Sequence, residues 1–159
     1  MELMKRETDL KDISSKTFVT QETVIVISFY MGDFLLGITA DKIVEINKDL
    51  EITPVPLADD YILGIMNLRG QIVTVIDLAK KIGLQNKITP NLNLIIKTQD
   101  EAPISFVIEK IGDILEIPVS KLEKPPEKLE GIDKEYVEKI YQLPNKLLLL
   151  LNLEKIFKH

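Results

Sequence analysis

Arg69 is the side chain whose chemistry most needs a partner. It stands in Asn67-Leu68-Arg69-Gly70, a polar interruption between two apolar runs. A guanidinium presents five donors in a planar fork and is costly to bury unpaired, so a specific acceptor is expected. That acceptor is either internal, a carboxylate such as Glu45 or backbone carbonyls in a clamp, or it belongs to a partner that Arg69 recognises. The two roles can coexist. Other reactive groups are scarce. The one histidine, His159, is the last residue and there is no cysteine, which leaves no nucleophilic triad, histidine metal site or thiolate metal site. Asp59-Asp60 and Asp100-Glu101 fall in Pro-flanked or turn-like segments and read as solvated loops. No Gly-rich phosphate loop is present. The expectation is a binding module with no catalytic residues, no cofactor and no metal.

The residues around Arg69 read as two strands meeting at a corner. Tyr61-Ile62-Leu63-Gly64-Ile65-Met66 and Ile72-Val73-Thr74-Val75-Ile76 supply the apolar flanks, and Asn67, Arg69 and Gly70 supply turn chemistry. Asp77 can cap a short helix from Leu78 to Ile82, which Gly83 stops. Upstream, Val24 to Tyr30 and Phe34 to Ile38 flank Met31-Gly32-Asp33 as a hairpin, and Lys42 to Ile46 reads as a further strand. Pro54 and Pro56 mark an extended connector. Residues 1–20 mix charges with few large apolar residues and read as a flexible tail; Leu3, Leu10 and Ile13 are too few to anchor a helix.

The second half repeats the first. At an offset of 68, the distance from Lys42 to Lys110, Asp41-Lys42-Ile43-Val44-Glu45-Ile46 falls on Glu109-Lys110-Ile111-Gly112-Asp113-Ile114. At an offset of 75, Tyr61 falls on Tyr136, Ile65 on Ile140, Asp77 on Asn152 and Leu78 on Leu153. The extra residues fall in the connector holding Pro118, Pro125 and Pro126, where length costs little entropy. Two copies with short hairpins and no long helices indicate an all-β fold: two intertwined five-stranded barrels from an internal duplication, with short helices. The repeat also decides ambiguous segments. Ile140 to Leu143 is read as strand although Tyr136 to Tyr141 could form an amphipathic helix, and Leu147 to Leu151 as a strand buried on both faces. The expected division is a tail at 1–20 and a domain at 21–157, with a first barrel over roughly 36–90 and a second over roughly 20–35 and 91–157, strand exchange being possible.

The repeat bears directly on Arg69, because its corner becomes Gln142-Leu143-Pro144-Asn145 in the second copy. The fold can therefore make the corner without arginine. Glu45 has an acidic counterpart in Asp113, so a charge there can belong to the shared fold. Gly64 has Lys139, which suggests that close backbone approach matters only in the first copy.

With 20 Lys plus Arg against 25 Asp plus Glu, the net charge is -5, which argues against a surface that tracks phosphates. A barrel that binds nucleic acid or a small ligand is the competing class; aromatics at 6% and no tryptophan weigh against the nucleic-acid form. Absence of cysteine suits a reducing cytosol, and no run approaches the roughly 18 apolar residues needed to span a membrane, so no direct membrane insertion is expected.

Tyr61 to Gly70 followed by Ile72 to Leu78, preceded by Ile43-Val44-Glu45-Ile46 and Pro54-Val55-Pro56, resembles the CheW-like domain family. That family includes chemotaxis adaptors and the regulatory domain of the CheA histidine kinase. The resemblance runs from about Val24 to Phe157. It implies SH3-like barrels and a cytoplasmic scaffold coupling CheA to the cytoplasmic tips of methyl-accepting chemoreceptors in membrane-associated arrays. The barrels of adaptor and kinase domain would alternate in rings there. Val44, Glu45, Gly64 and Arg69 match places tied in the family to receptor or kinase binding, and Asn67 and Gly70 complete the candidate partner-binding corner. Thr74 stands where the family often has proline and Glu109 where it usually has aspartate. A free-standing adaptor is favoured over the regulatory module of a CheA or CheV type protein.

Overall fold

The computed structural model describes residues 21–48, 51–85, 88–99 and 102–158. The expected tail at 1–20, the Asp100-Glu101 pair and His159 lie outside them. Ten strands follow in chain order: β1 (Thr23–Met31), β2 (Phe34–Thr39), β3 (Ile43–Asn47), β4 (Ile62–Leu68), β5 (Gln71–Asp77), β6 (Leu92–Ile96), β7 (Ile104–Ile108), β8 (Lys110–Pro118), β9 (Val137–Gln142) and β10 (Leu147–Leu151). Two short helices, α1 (Leu78–Lys81) and α2 (Leu153–Phe157), each follow the last strand of a half.

The strands form two five-stranded sheets with the same internal order. One runs β3-β6-β7-β5-β4 and the other β8-β1-β2-β10-β9. They are termed the first and second barrel, and they match the SH3-like architecture expected from the sequence. Each barrel takes its β6–β7 or β1–β2 hairpin from one half of the chain and its other three strands from the other half. The barrels are thus intertwined. This differs from the division at roughly 36 and 91, since β2 stays with β1 in the second barrel while β6 and β7 belong to the first. The cause is a pair of parallel contacts, β5 with β7 and β10 with β2, that sequence offsets do not reveal.

The duplicated register extends to details. Asp77 donates its backbone N–H to the Tyr61 carbonyl at 2.7 Å and Asn152 donates to the Tyr136 carbonyl at 2.8 Å. Asp77 Oδ1 then accepts from Lys80 N and Asn152 Oδ1 from Lys155 N, both at 3.2 Å, satisfying one orphan donor at each helix start. Gly83, at φ 76, ends the first helical turn as expected.

Alternation along the strands sorts apolar residues into three cores. Phe29, Leu36, Ile96, Phe106, Leu149 and their neighbours fill the space between the sheets. Val26, Leu35, Ile117, Leu148 and Leu150 fill the interior of the second barrel, and Met66, Val73, Val75, Ile95 and Val107 that of the first. The leucine run of β10 serves both sides: Leu148 and Leu150 face the barrel interior while Leu149 and Leu151 face the shared core. That explains an unbroken apolar sequence in a strand, each buried leucine contributing roughly 1.5–3 kcal/mol.

Candidate functional site

The β4–β5 corner is a two-residue loop closed by the pairing of Leu68 with Gln71. Arg69 lies at φ 52 and Gly70 at φ 84, and two successive positive values are the signature of a type I′ turn, whose twist suits a hairpin. Gly70 is needed for that backbone and not for space, because a Cβ there would touch nothing within 4 Å. Asn67 completes the turn: its Oδ1 accepts from Gly70 N at 2.7 Å.

From this corner Arg69 reaches β3, the edge strand on the opposite side of the same sheet. Its Nη1 donates to Glu45 Oε1 at 2.6 Å and its Nη2 to Glu45 Oε2 at 3.0 Å, a bidentate pair that ties the two ends of the sheet together. Asn47 Nδ2 adds a third donor, to Glu45 Oε2 at 2.9 Å. Glu45 and Asn47 pair in register with Ile95 and Asn93, on the face that looks into the first barrel. Hydrogen bonding from Arg69, then from Asn47, holds the Glu45 carboxyl below its ordinary value against an opposing effect of burial. Glu45 was one of the acceptors expected from sequence, so the internal clamp exists. Arg69 nevertheless stays 75% exposed at the side chain against 19% for Glu45, leaving the guanidinium's outer face open to solvent.

Gly64 sits on β4, where the connector crosses. A Cβ on it would lie 2.2 Å from the Thr53 carbonyl oxygen, and its φ of +152 is one that side chains rarely adopt. Thr53 and Ile65 exchange backbone hydrogen bonds at 2.8 Å, so the glycine lets the connector lie against the sheet. Gly64 is buried and shapes the surface from beneath. The second barrel makes the matching bridge between Glu123 and Ile140 with Lys139 at the equivalent place, so the close approach is not confined to the first copy as expected from Gly64; what is confined to it is the positive φ.

The strands that carry the clamp also expose apolar residues. Val44 and Ile46, flanking Glu45 on β3, are 45% and 39% exposed, and Ile72, paired with Asn67 across the hairpin, is 54% exposed. The structure thus brings Val44, Glu45, Asn67, Arg69 and Gly70 to one end of the first barrel and places Gly64 below it. The sequence alone does not single out Asn47, Ile46 or Ile72. The signal for Ile72 was alternation with the inward Val73 and Val75, and the signal for Asn47 was its two-residue spacing from Glu45 on one strand face.

Comparison with known proteins gives a consistent answer. The family model described as "CheW-like domain" matches residues 26–159. A "Chemotaxis protein CheW" of Helicobacter pylori is 30% identical over 148 residues, covering 91% of this chain and 87% of that protein. Another of the same name from Treponema pallidum is 26% identical over 144 residues, covering 87% of this chain and 85% of that one. The crystal structure of "scaffolding protein TtCheW" from Thermoanaerobacter tengcongensis superposes with a TM-score of 0.79 at 26% identity, covering 87% of this chain and 94% of that chain. Matched along nearly all of its two barrels, the chain belongs to the CheW-like domain family.

Proposed function

We propose that this chain is a non-enzymatic chemotaxis adaptor that couples the CheA histidine kinase, through the kinase's regulatory domain, to the cytoplasmic tips of methyl-accepting chemoreceptors. The observation that carries the reading is an Arg69 guanidinium fixed by Glu45 yet largely exposed, on a barrel whose β3 and β5 also expose Val44, Ile46 and Ile72. An exposed ion pair adds little to fold stability, so its value lies in holding a polar group ready for a partner that also meets the exposed apolar residues of the barrel. A receptor helix tip would lay its apolar side on that patch while Arg69 fixes its orientation. Val44, Glu45 and Arg69 make contact in this reading; Asn67 and Gly70 hold the turn, and Gly64 holds the connector beneath.

Membership of the family and the names of the relatives support the chemotaxis assignment. Among the described residues no helix is long and apolar enough to cross a membrane, so arrival at receptor arrays would come through the partners from the cytoplasm. The test is a pull-down of the folded protein with receptor cytoplasmic fragments and with purified CheA. Capture of both is expected, and capture of neither by a protein with a cooperative melt contradicts the assignment.

A further inference from the structure

The position that Arg69 and Glu45 occupy in the first barrel exists in the second and is built differently. Asp113 on β8 is the counterpart of Glu45, and Pro144-Asn145 in the β9–β10 corner is the counterpart of Arg69-Gly70. No arginine crosses the gap there. A cavity of about 160 Å³ opens in its place, with Leu35, Leu115 and Leu143 as its apolar walls and Asp113, Asn145 and Lys146 at its polar edge. All three leucines belong to the apolar cluster of the second barrel.

The acidic side of this cavity is firmly set. Ser28 Oγ donates to the Asp113 carbonyl at 2.7 Å and accepts from Asp113 N at 2.8 Å, pinning β8 where its register with β1 shifts. Gly112 permits that approach, since a Cβ on it would lie 2.6 Å from Ser28 Oγ. These bonds fix the backbone of Asp113; its carboxylate, on an exposed residue, has no hydrogen bond or ion pair among the described residues. The nearby cation does not serve it: Lys146 Nζ donates to the Tyr30 hydroxyl and lies 4.9 Å from the centre of the Tyr30 ring.

We propose that this open corner of the second barrel receives one arginine or lysine side chain from the docked CheA regulatory domain. Its stem lies on Leu35, Leu115 and Leu143 and its cationic head pairs with Asp113, as Arg69 pairs with Glu45 within the first barrel. The inference rests on the adaptor reading and names what that partner brings. Charge selects the occupant, because the same fold position is satisfied by a cation where the chain supplies one itself. Size agrees, because a cavity of this volume holds one long side chain. The exposed Ile25, Ile114 and Val119, on β1, β8 and the turn after β8, provide apolar surface on the same barrel for the rest of the partner.

The experiment measures affinity for the purified CheA regulatory domain by calorimetry, with the wild type, Asp113→Asn and the double variant Pro144→Arg with Asn145→Gly. The double variant installs the first barrel's corner and fills the seat from within. Each substitution is expected to raise Kd about tenfold, the usual scale for losing one charge-assisted contact, and to flatten its dependence on salt. Asp113→Glu should recover most of the affinity. Wild-type affinity in both Asp113→Asn and the double variant, with melts intact, overturns the inference while leaving the adaptor reading standing. Failure of the wild type itself to bind the kinase domain or a receptor fragment counts against the adaptor reading instead. Should Asp113→Asn not fold, the double variant reads the same seat from the opposite side.

Discussion

The two hairpin corners occupy the same place in barrels of the same strand order, yet they solve the turn in opposite ways. The first places Arg69 and Gly70 at positive φ and sends a guanidinium across the barrel to Glu45. The second uses Pro144 and Asn145, neither at positive φ, and leaves the opposing Asp113 unbridged beside a cavity. Everything around them is shared, from the helix caps at Asp77 and Asn152 to the bridges at Thr53 and Glu123. A feature present in one copy and missing from an equally well packed other copy is not required by the fold. The fold therefore does not require the Arg69 pair, and the proposed roles of the two corners rest on that difference.

Substitutions that force one barrel's solution on the other sharpen this contrast. The largest effect is expected at Gly64. Gly64→Ala must displace the Thr53 carbonyl and accept a strained backbone, costing roughly 2–4 kcal/mol in urea unfolding, whereas Lys139→Ala at the matching place should change stability by less than about 0.5 kcal/mol. Equal losses at the two sites would mean that the positive-φ backbone at Gly64 carries no cost of its own. Arg69→Pro comes next. Proline cannot reach a φ of 52, so the type I′ turn is lost at a cost of roughly 2 kcal/mol, while Pro144→Ala should cost at most about 1 kcal/mol. Asn67→Ala removes the acceptor of Gly70 N and should cost about 0.5–1 kcal/mol, with the fold retained.

The smallest effect is in pH dependence. Because Arg69 and Asn47 hold the folded-state Glu45 carboxyl below 4.5, the stabilisation is fully present above that value and is lost as pH falls through the lowered one. The urea midpoints of the wild type and Glu45→Gln should therefore differ at neutral pH and converge in acid, once the pH lies below the lowered Glu45 value. A gap that persists unchanged into acid would show that Glu45 acts through its shape and not its charge.

Much of this architecture was legible in the chain. β-branched runs and turn residues gave the hairpins, and the internal repeat converted Leu147–Leu151, a helix by propensity, into a strand buried on both faces. Asp77 and Gly83 also declared their roles through residue type and position, whereas the contrast of Gly64 with Lys139 misled, since both barrels make the connector bridge. Barrel membership was not legible, because it depends on the parallel contacts of β2 with β10 and β5 with β7, which join segments far apart in sequence. At the candidate site, Glu45 could be named as an acceptor for Arg69, but its sharing with Asn47 depends on side-chain direction at a bulge in β3. The cavity beside Asp113 was hidden for the same reason. An empty space is a property of surrounding side chains, and Pro144-Asn145 alone reads only as a turn.

The central claim is that Arg69 serves a partner as well as its own barrel. Titrating receptor cytoplasmic fragments and the CheA regulatory domain into the wild type and Arg69→Ala, with thermal melts of both proteins, tests it most directly. The expected result is a cooperative melt within about 3 °C of the wild type and a Kd raised about tenfold or more for at least one partner. Unchanged affinity for both partners in a folded Arg69→Ala protein would contradict it.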